Sequence, residues 1–68
     1  MVNTPYLEEL IKKSGKKKIH LADRVGCSRQ YLNKKIDNKV DFTTTEVSVL
    51  CTELGIKTLS EKEKIFFA

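Results

Sequence analysis

Between Leu21 and Leu32 the chain reads Leu-Ala-Asp-Arg-Val-Gly-Cys-Ser-Arg-Gln-Tyr-Leu, two short helical patterns broken by one glycine. Gly26 is the residue that most restricts the fold. Glycine tolerates the positive φ of a tight turn, so one helix can end there and another can leave at a fixed angle. Ala22, four residues earlier, is the small side chain that a close approach of the two helices needs. Leu21, Val25, Cys27 and Leu32 supply the apolar positions that hold the pair, and Ile36 follows one turn after Leu32. Ser28 can cap the second helix of the pair, which places Arg29 and Gln30 in its first turn. This is the spacing of a helix-turn-helix.

The remaining sequence is punctuated in the same way. Thr4 can cap a first helix, with Pro5 at its first position, where a missing N–H costs nothing. Leu7, Leu10 and Ile11 fall on one face of that helix, Lys12 and Lys13 complement its C-terminal dipole, and Gly15 stops it. The second helix covers about Lys17 to Val25 with no obvious cap. The third runs from Ser28 to about Asp37, and Asn38 is a left-handed terminator. A loop from Lys39 to Thr43 carries Val40 and Phe42 as apolar anchors. Thr43-Thr44-Thr45-Glu46 is a capping box that launches a fourth helix with the stripe Val47, Leu50, Cys51 and Leu54, stopped by Gly55. Ser60-Glu61-Lys62-Glu63 repeats the box and opens a short last helix ending in Ile65-Phe66-Phe67. No segment alternates with period two, so the expectation is an all-α, compact five-helix fold, one domain over residues 1–68.

Composition narrows the function. With 68 residues there is room for one core. No apolar run approaches bilayer length and the N-terminus lacks a signal-like pattern, so a cytoplasmic protein that does not enter a membrane is expected. The net charge of +4 is unevenly spread: residues Lys12 to Lys39 hold ten Lys/Arg and two acids, the rest three Lys and seven acids. A basic half of this kind orients a protein over a phosphate backbone. Cys27 and Cys51 lack metal-ligand spacing, His20 lies too far from either, and both thiols are expected in the core rather than in a disulfide. No metal, cofactor or small-molecule substrate is called for. His20 has no catalytic partner and is expected on an exposed helix face. Glu8-Glu9 and Glu61/Glu63 are expected at helix starts, serving the dipole. An enzyme would need a pocket that five short helices hardly offer.

The run Leu21-Ala22-x-x-Val25-Gly26-Cys27-Ser28-Arg29-Gln30-x-Leu32 resembles the Cro/CI-type, lambda-repressor-like (XRE-type) helix-turn-helix family. It is closest in style to phage and prophage regulators of low-GC Gram-positive bacteria. The five-helix layout matches as well. Two positions depart from the family pattern: Lys18 stands where glutamine is common, and Ile36 sits one residue later than the usual apolar anchor. The resemblance implies a transcriptional regulator whose third helix enters the major groove of an operator.

The residues carry the same expectation. With Leu32 and Ile36 inward, Gln30, Tyr31 and Lys34 point away from the core. Ser28, Arg29, Gln30 and Lys34 are the candidate base readers; Arg29 can pair with guanine and Gln30 with adenine. Lys17, Lys18, Tyr31, Asn33, Asn38 and Lys39 are candidates for phosphate contacts, which position without reading sequence. Lys34, Lys35 and Lys39 are equally explained as solvated helix lysines. Of Ile65, Phe66 and Phe67, one or two should pack on the first and fourth helices. The remainder is a candidate dimer contact, for a homodimer on half-sites about 34 Å apart. A protein-binding module, an antirepressor or antitoxin-like partner, is the alternative of a different class.

Overall fold

Thr4 to Ser14 form α1, and the residue that caps it is Asn3 rather than Thr4. In this computed structural model, which describes residues 1–67, Asn3 Oδ1 accepts from Tyr6 N at 3.4 Å. Thr4 is drawn away from capping because its hydroxyl donates to Ile36 O at 2.5 Å, tying α1 to the end of the third helix. Four further helices follow: α2 (Lys18–Val25), α3 (Arg29–Ile36), α4 (Thr44–Leu54) and α5 (Leu59–Phe66). No strand occurs among the described residues. Nor is any helix among them long and apolar enough to cross a membrane.

The helix stops follow the glycines, and the chemistry is the same at Gly26 and Gly55. Gly26 has φ +93°, and behind it Cys27 N donates to Ala22 O at 3.0 Å. After Gly55, Ile56 N donates to Cys51 O at 2.9 Å in the same manner. This closure turns the residue after the glycine back onto the helix it leaves. Ile56 is buried for that reason, a core position the periodicity does not announce. Asn38 plays the part at the end of α3, with φ +65° and Lys39 N donating to Lys34 O at 2.8 Å.

Thr43 and Glu46 make the expected capping box at α4. At α5 two overlapping Ser/Thr-x-x-Glu patterns compete, and the earlier one is used: Thr58, not Ser60, accepts from Glu61 N at 3.2 Å. The helix therefore starts at Leu59. Glu8 and Glu9 lie beyond the first turn of α1 and serve ion pairs instead of the dipole, Glu9 with Lys13 at 3.3 Å and Glu8 with Lys18 at 2.8 Å.

The core gathers Leu7 and Ile11 from α1, Leu21 and Ala22 from α2, and Leu32 and Ile36 from α3. Val47, Leu50 and Cys51 from α4, then Ile56, Ile65 and Phe66, complete it. Val25, Cys27 and Leu54 are half-buried against that cluster. Cys27 thus falls short of the full burial expected, because the turn holds it at the edge. Ile65 and Phe66 both pack inward, Phe66 edge-on against Phe42 with centroids 5.5 Å apart. Only Phe67 of the expected dimer contact is left outside, 66% exposed. The N-terminal residues close the base: Val2 N donates to Asn38 Oδ1 at 2.7 Å, Asn38 Nδ2 donates back to Val2 O at 2.9 Å, and Asn3 N donates to Ile65 O at 2.6 Å.

Candidate nucleic-acid interface

The turn between α2 and α3 is three residues, Gly26 to Ser28, and it fixes where α3 begins. Ser28 Oγ accepts from Tyr31 N at 3.1 Å, so the hydroxyl serves the helix as its cap and keeps its proton free to donate outward. Leu21 and Ala22 on one helix and Leu32 on the next are almost wholly buried between them. With Leu32, Lys35 and Ile36 facing in, the opposite side of α3 carries Gln30 and Lys34, one turn apart. Arg29 leaves from the first turn. All three are exposed, and so are Ser28, Tyr31 and Lys39, while Asn33 is half-buried.

The ion pairs divide the basic half of the chain in two. Lys13, Lys16, Lys18, Arg24 and Lys35 each lie against a carboxylate. Among the described residues, no ion pair engages Lys12, Lys17, Arg29, Lys34 or Lys39. The cations that stay free therefore include both charged base-reading candidates, together with Lys17 and Lys39 from the phosphate set.

Two other candidates for phosphate contact are already engaged. Lys18 Nζ donates to Glu8 Oε2 at 2.8 Å, which neutralises it against α1. The Asn38 amide is committed to Val2 on both its donor and acceptor sides. Lys17 stands at the N-cap of α2 with no side-chain bond to the helix, so the first N–H groups of α2 lack a protein cap.

Lys35 departs furthest from expectation. It is 3% exposed, not a solvated lysine. Its Nζ donates to Glu46 Oε1 at 2.6 Å and to Asp41 O at 3.2 Å. It also lies 5.0 Å from the centroid of the Tyr31 ring and 5.9 Å from that of Phe42. The same Glu46 oxygen accepts from Thr43 N at 2.8 Å. Burial alone would raise the Glu46 carboxyl, but the Lys35 ammonium and the Thr43 groups outweigh it and hold the acid below its usual range. The wheel carried a signal: Lys35 shares an arc with Leu32 and Ile36. A lysine on that arc needs an acid, and the capping-box glutamate is that acid.

Glu53 is the second centre that periodicity does not reveal. Lys16 Nζ reaches its Oε1 at 3.3 Å and its backbone carbonyl at 2.8 Å. His20 Nε2 lies 3.5 Å from Oε1 and Arg24 Nε 3.6 Å from Oε2. His20 is exposed as expected, but it has an acidic partner that sequence reading did not assign. The hydrogen bond from Lys16 leads the groups that lower the Glu53 carboxyl. Beside this cluster a shallow groove of about 420 Å³ runs between α2 and α4, lined by Asp23, Arg24, Thr45, Ser48, Val49, Thr52 and Glu53. The two thiols are unpaired, and burial raises both above the ordinary cysteine range.

No family model matches the chain, and neither a curated protein nor a solved structure matches it.

Proposed function

We propose that the chain is a sequence-specific DNA-binding regulator of the Cro/repressor type, with α2 and α3 as its helix-turn-helix. The five helices then correspond to a lambda-repressor-like domain. The observation that supports this most is the contrast in charge: Arg29 and Lys34 stand free on the outer side of α3 while five of the other eight Lys/Arg between Lys12 and Lys39 lie against carboxylates.

In this reading α3 enters the major groove N-terminus first. Arg29 donates two hydrogen bonds to guanine O6 and N7, and Gln30 pairs with the N6/N7 edge of adenine. Lys34 reaches a base edge one turn further along. Lys17, Tyr31, Asn33 and Lys39 grip phosphates and fix the register of the helix. Binding to an operator blocks polymerase, and two copies bind half-sites about one helical turn apart. Phe67, exposed beside Met1 at the rim of a second groove, is the apolar side chain available for contact between copies.

Selection of bound duplexes from a random library tests the reading. The expected outcome is an enriched motif with half-site symmetry, bound more tightly as salt is lowered. Failure to bind any duplex at low salt contradicts it. Binding without enrichment leaves only a basic surface and removes the base-reading role from α3.

A further inference from the structure

The Lys35 cluster has a consequence for the proposed interface, and it rests on the DNA-binding reading above. A lysine that is 3% exposed cannot reach a phosphate without breaking the fold around it. Its ammonium is held instead by one carboxylate oxygen and one carbonyl, with two aromatic rings over it. Those partners come from different elements. Tyr31 is one turn earlier on α3, Asp41 and Phe42 belong to the loop, and Glu46 lies in the first turn of α4. Lys35 therefore joins the flank of α3 that carries Tyr31 to the start of α4.

Of the three side chains against the ammonium, Tyr31, Phe42 and Glu46, Tyr31 is the exposed one, at 43%. Its backbone N–H is bound by the Ser28 cap, and its ring is held by the ammonium, within the range at which a cation attracts an aromatic face. A ring restricted by the ammonium on a capped helix turn offers its hydroxyl to a phosphate from one direction, and phosphate contacts set the register at which the neighbouring side chains meet the bases. We infer that Lys35 is a positioning residue: it holds the Tyr31 ring and the roll of α3 against α4, so base discrimination depends on a lysine that never meets the DNA.

The variants that test this are Lys35→Met combined with Glu46→Gln, which removes the buried charges together, and Glu46→Gln alone, which keeps the lysine and weakens its hold. Three quantities are read: the Tyr31 ring-proton resonances in the free protein, the affinity ratio between the selected duplex and its single-base variants, and the slope of log K against log salt. The double variant should shift the Tyr31 resonances, lower discrimination about tenfold and leave the salt slope unchanged. Glu46→Gln, whose amide oxygen can still accept from Lys35 Nζ and Thr43 N while the Asp41 carbonyl stays in place, should move the first two in the same direction by less, and it decides the matter if the double variant does not fold. Intact discrimination with a salt slope reduced by about one would mean that Lys35 itself meets a phosphate, overturning the inference. Unchanged Tyr31 resonances and unchanged discrimination would reduce Lys35 to a structural residue and overturn it as well. If the wild-type protein binds no duplex, the DNA-binding reading fails first, and the Tyr31 resonances alone still decide whether Lys35 orders that ring.

Discussion

The outer side of α3 and the flank formed by α2 and α4 are both rich in basic residues, yet they use them in opposite ways. On the flank, one carboxylate, Glu53, gathers Lys16, His20 and Arg24 and joins the loop after α1 and helix α2 to α4. On α3, Arg29 and Lys34 have no carboxylate partner among the described residues. Exposed pairs contribute little to stability, typically below about 1 kcal/mol each, so pairing on the flank is mainly a matter of where charge is cancelled. Among the cations left without a carboxylate, Arg29 and Lys34 stand on the same exposed side of α3, at its first and last turns. Charge left after pairing, rather than total charge, is what singles out this side of α3 for the proposed interface.

Substitutions can break this contrast from either side. The largest effect is expected at Lys35 and Glu46, the most enclosed of the ion pairs. Lys35→Met alone leaves the half-buried Glu46 carboxylate only its bond from Thr43 N and should cost about 2–3 kcal/mol of stability, read by chemical denaturation. Arg29→Ala should leave stability nearly unchanged but lower the preference for one base pair by about 1–3 kcal/mol, measured against duplexes altered at single positions. Lys39→Ala should weaken every duplex alike and reduce the salt slope by about one. Lys16→Ala is the counterpart on the flank: because its ammonium is held on Glu53, it should change DNA affinity far less than Lys39→Ala does in the same titration. A salt slope that falls equally for both would erase the contrast.

The pH dependence of stability sharpens the same comparison. Glu46 has a lowered pKa in the folded protein, so its ionised form contributes stability above the ordinary carboxylate range, and that contribution is lost as pH falls through the lowered value. Glu46→Gln should therefore flatten the acid limb of the unfolding curve without altering its neutral-pH shape.

Much of this architecture is legible in the sequence, and the misses have physical causes. Gly26, Asn38 and Gly55 announce their turns because left-handed backbone leaves a compositional mark, and Thr43-Glu46 announces its cap through fixed spacing. Leu21, Ala22, Leu32 and Ile36 are recognised as core by period. Asn3 is hidden by Thr4, since both residues can cap and only the distant Ile36 carbonyl decides which one does. The pairings of Lys18 with Glu8, Lys35 with Glu46 and Lys16 with Glu53 join residues far apart in sequence, and no local pattern encodes them. Asn38 shows the same limit. Its backbone role at the end of α3 follows from residue type, while its side-chain bonds to Val2 depend on tertiary folding. In the candidate interface, the exposure of Arg29, Gln30 and Lys34 follows from the helix wheel, but their freedom from ion pairs does not.

The central claim is that the unpaired side of α3 meets DNA and the paired flank does not. Amide chemical-shift mapping during titration of the labelled protein with its selected duplex tests this directly. The account predicts the largest shifts from Ser28 to Lys34, with smaller ones at Lys17 and Lys39 and little change along Ser48, Thr52 and Glu53. Shifts concentrated on the α2–α4 groove, with Arg29 and Gln30 unmoved, would contradict it.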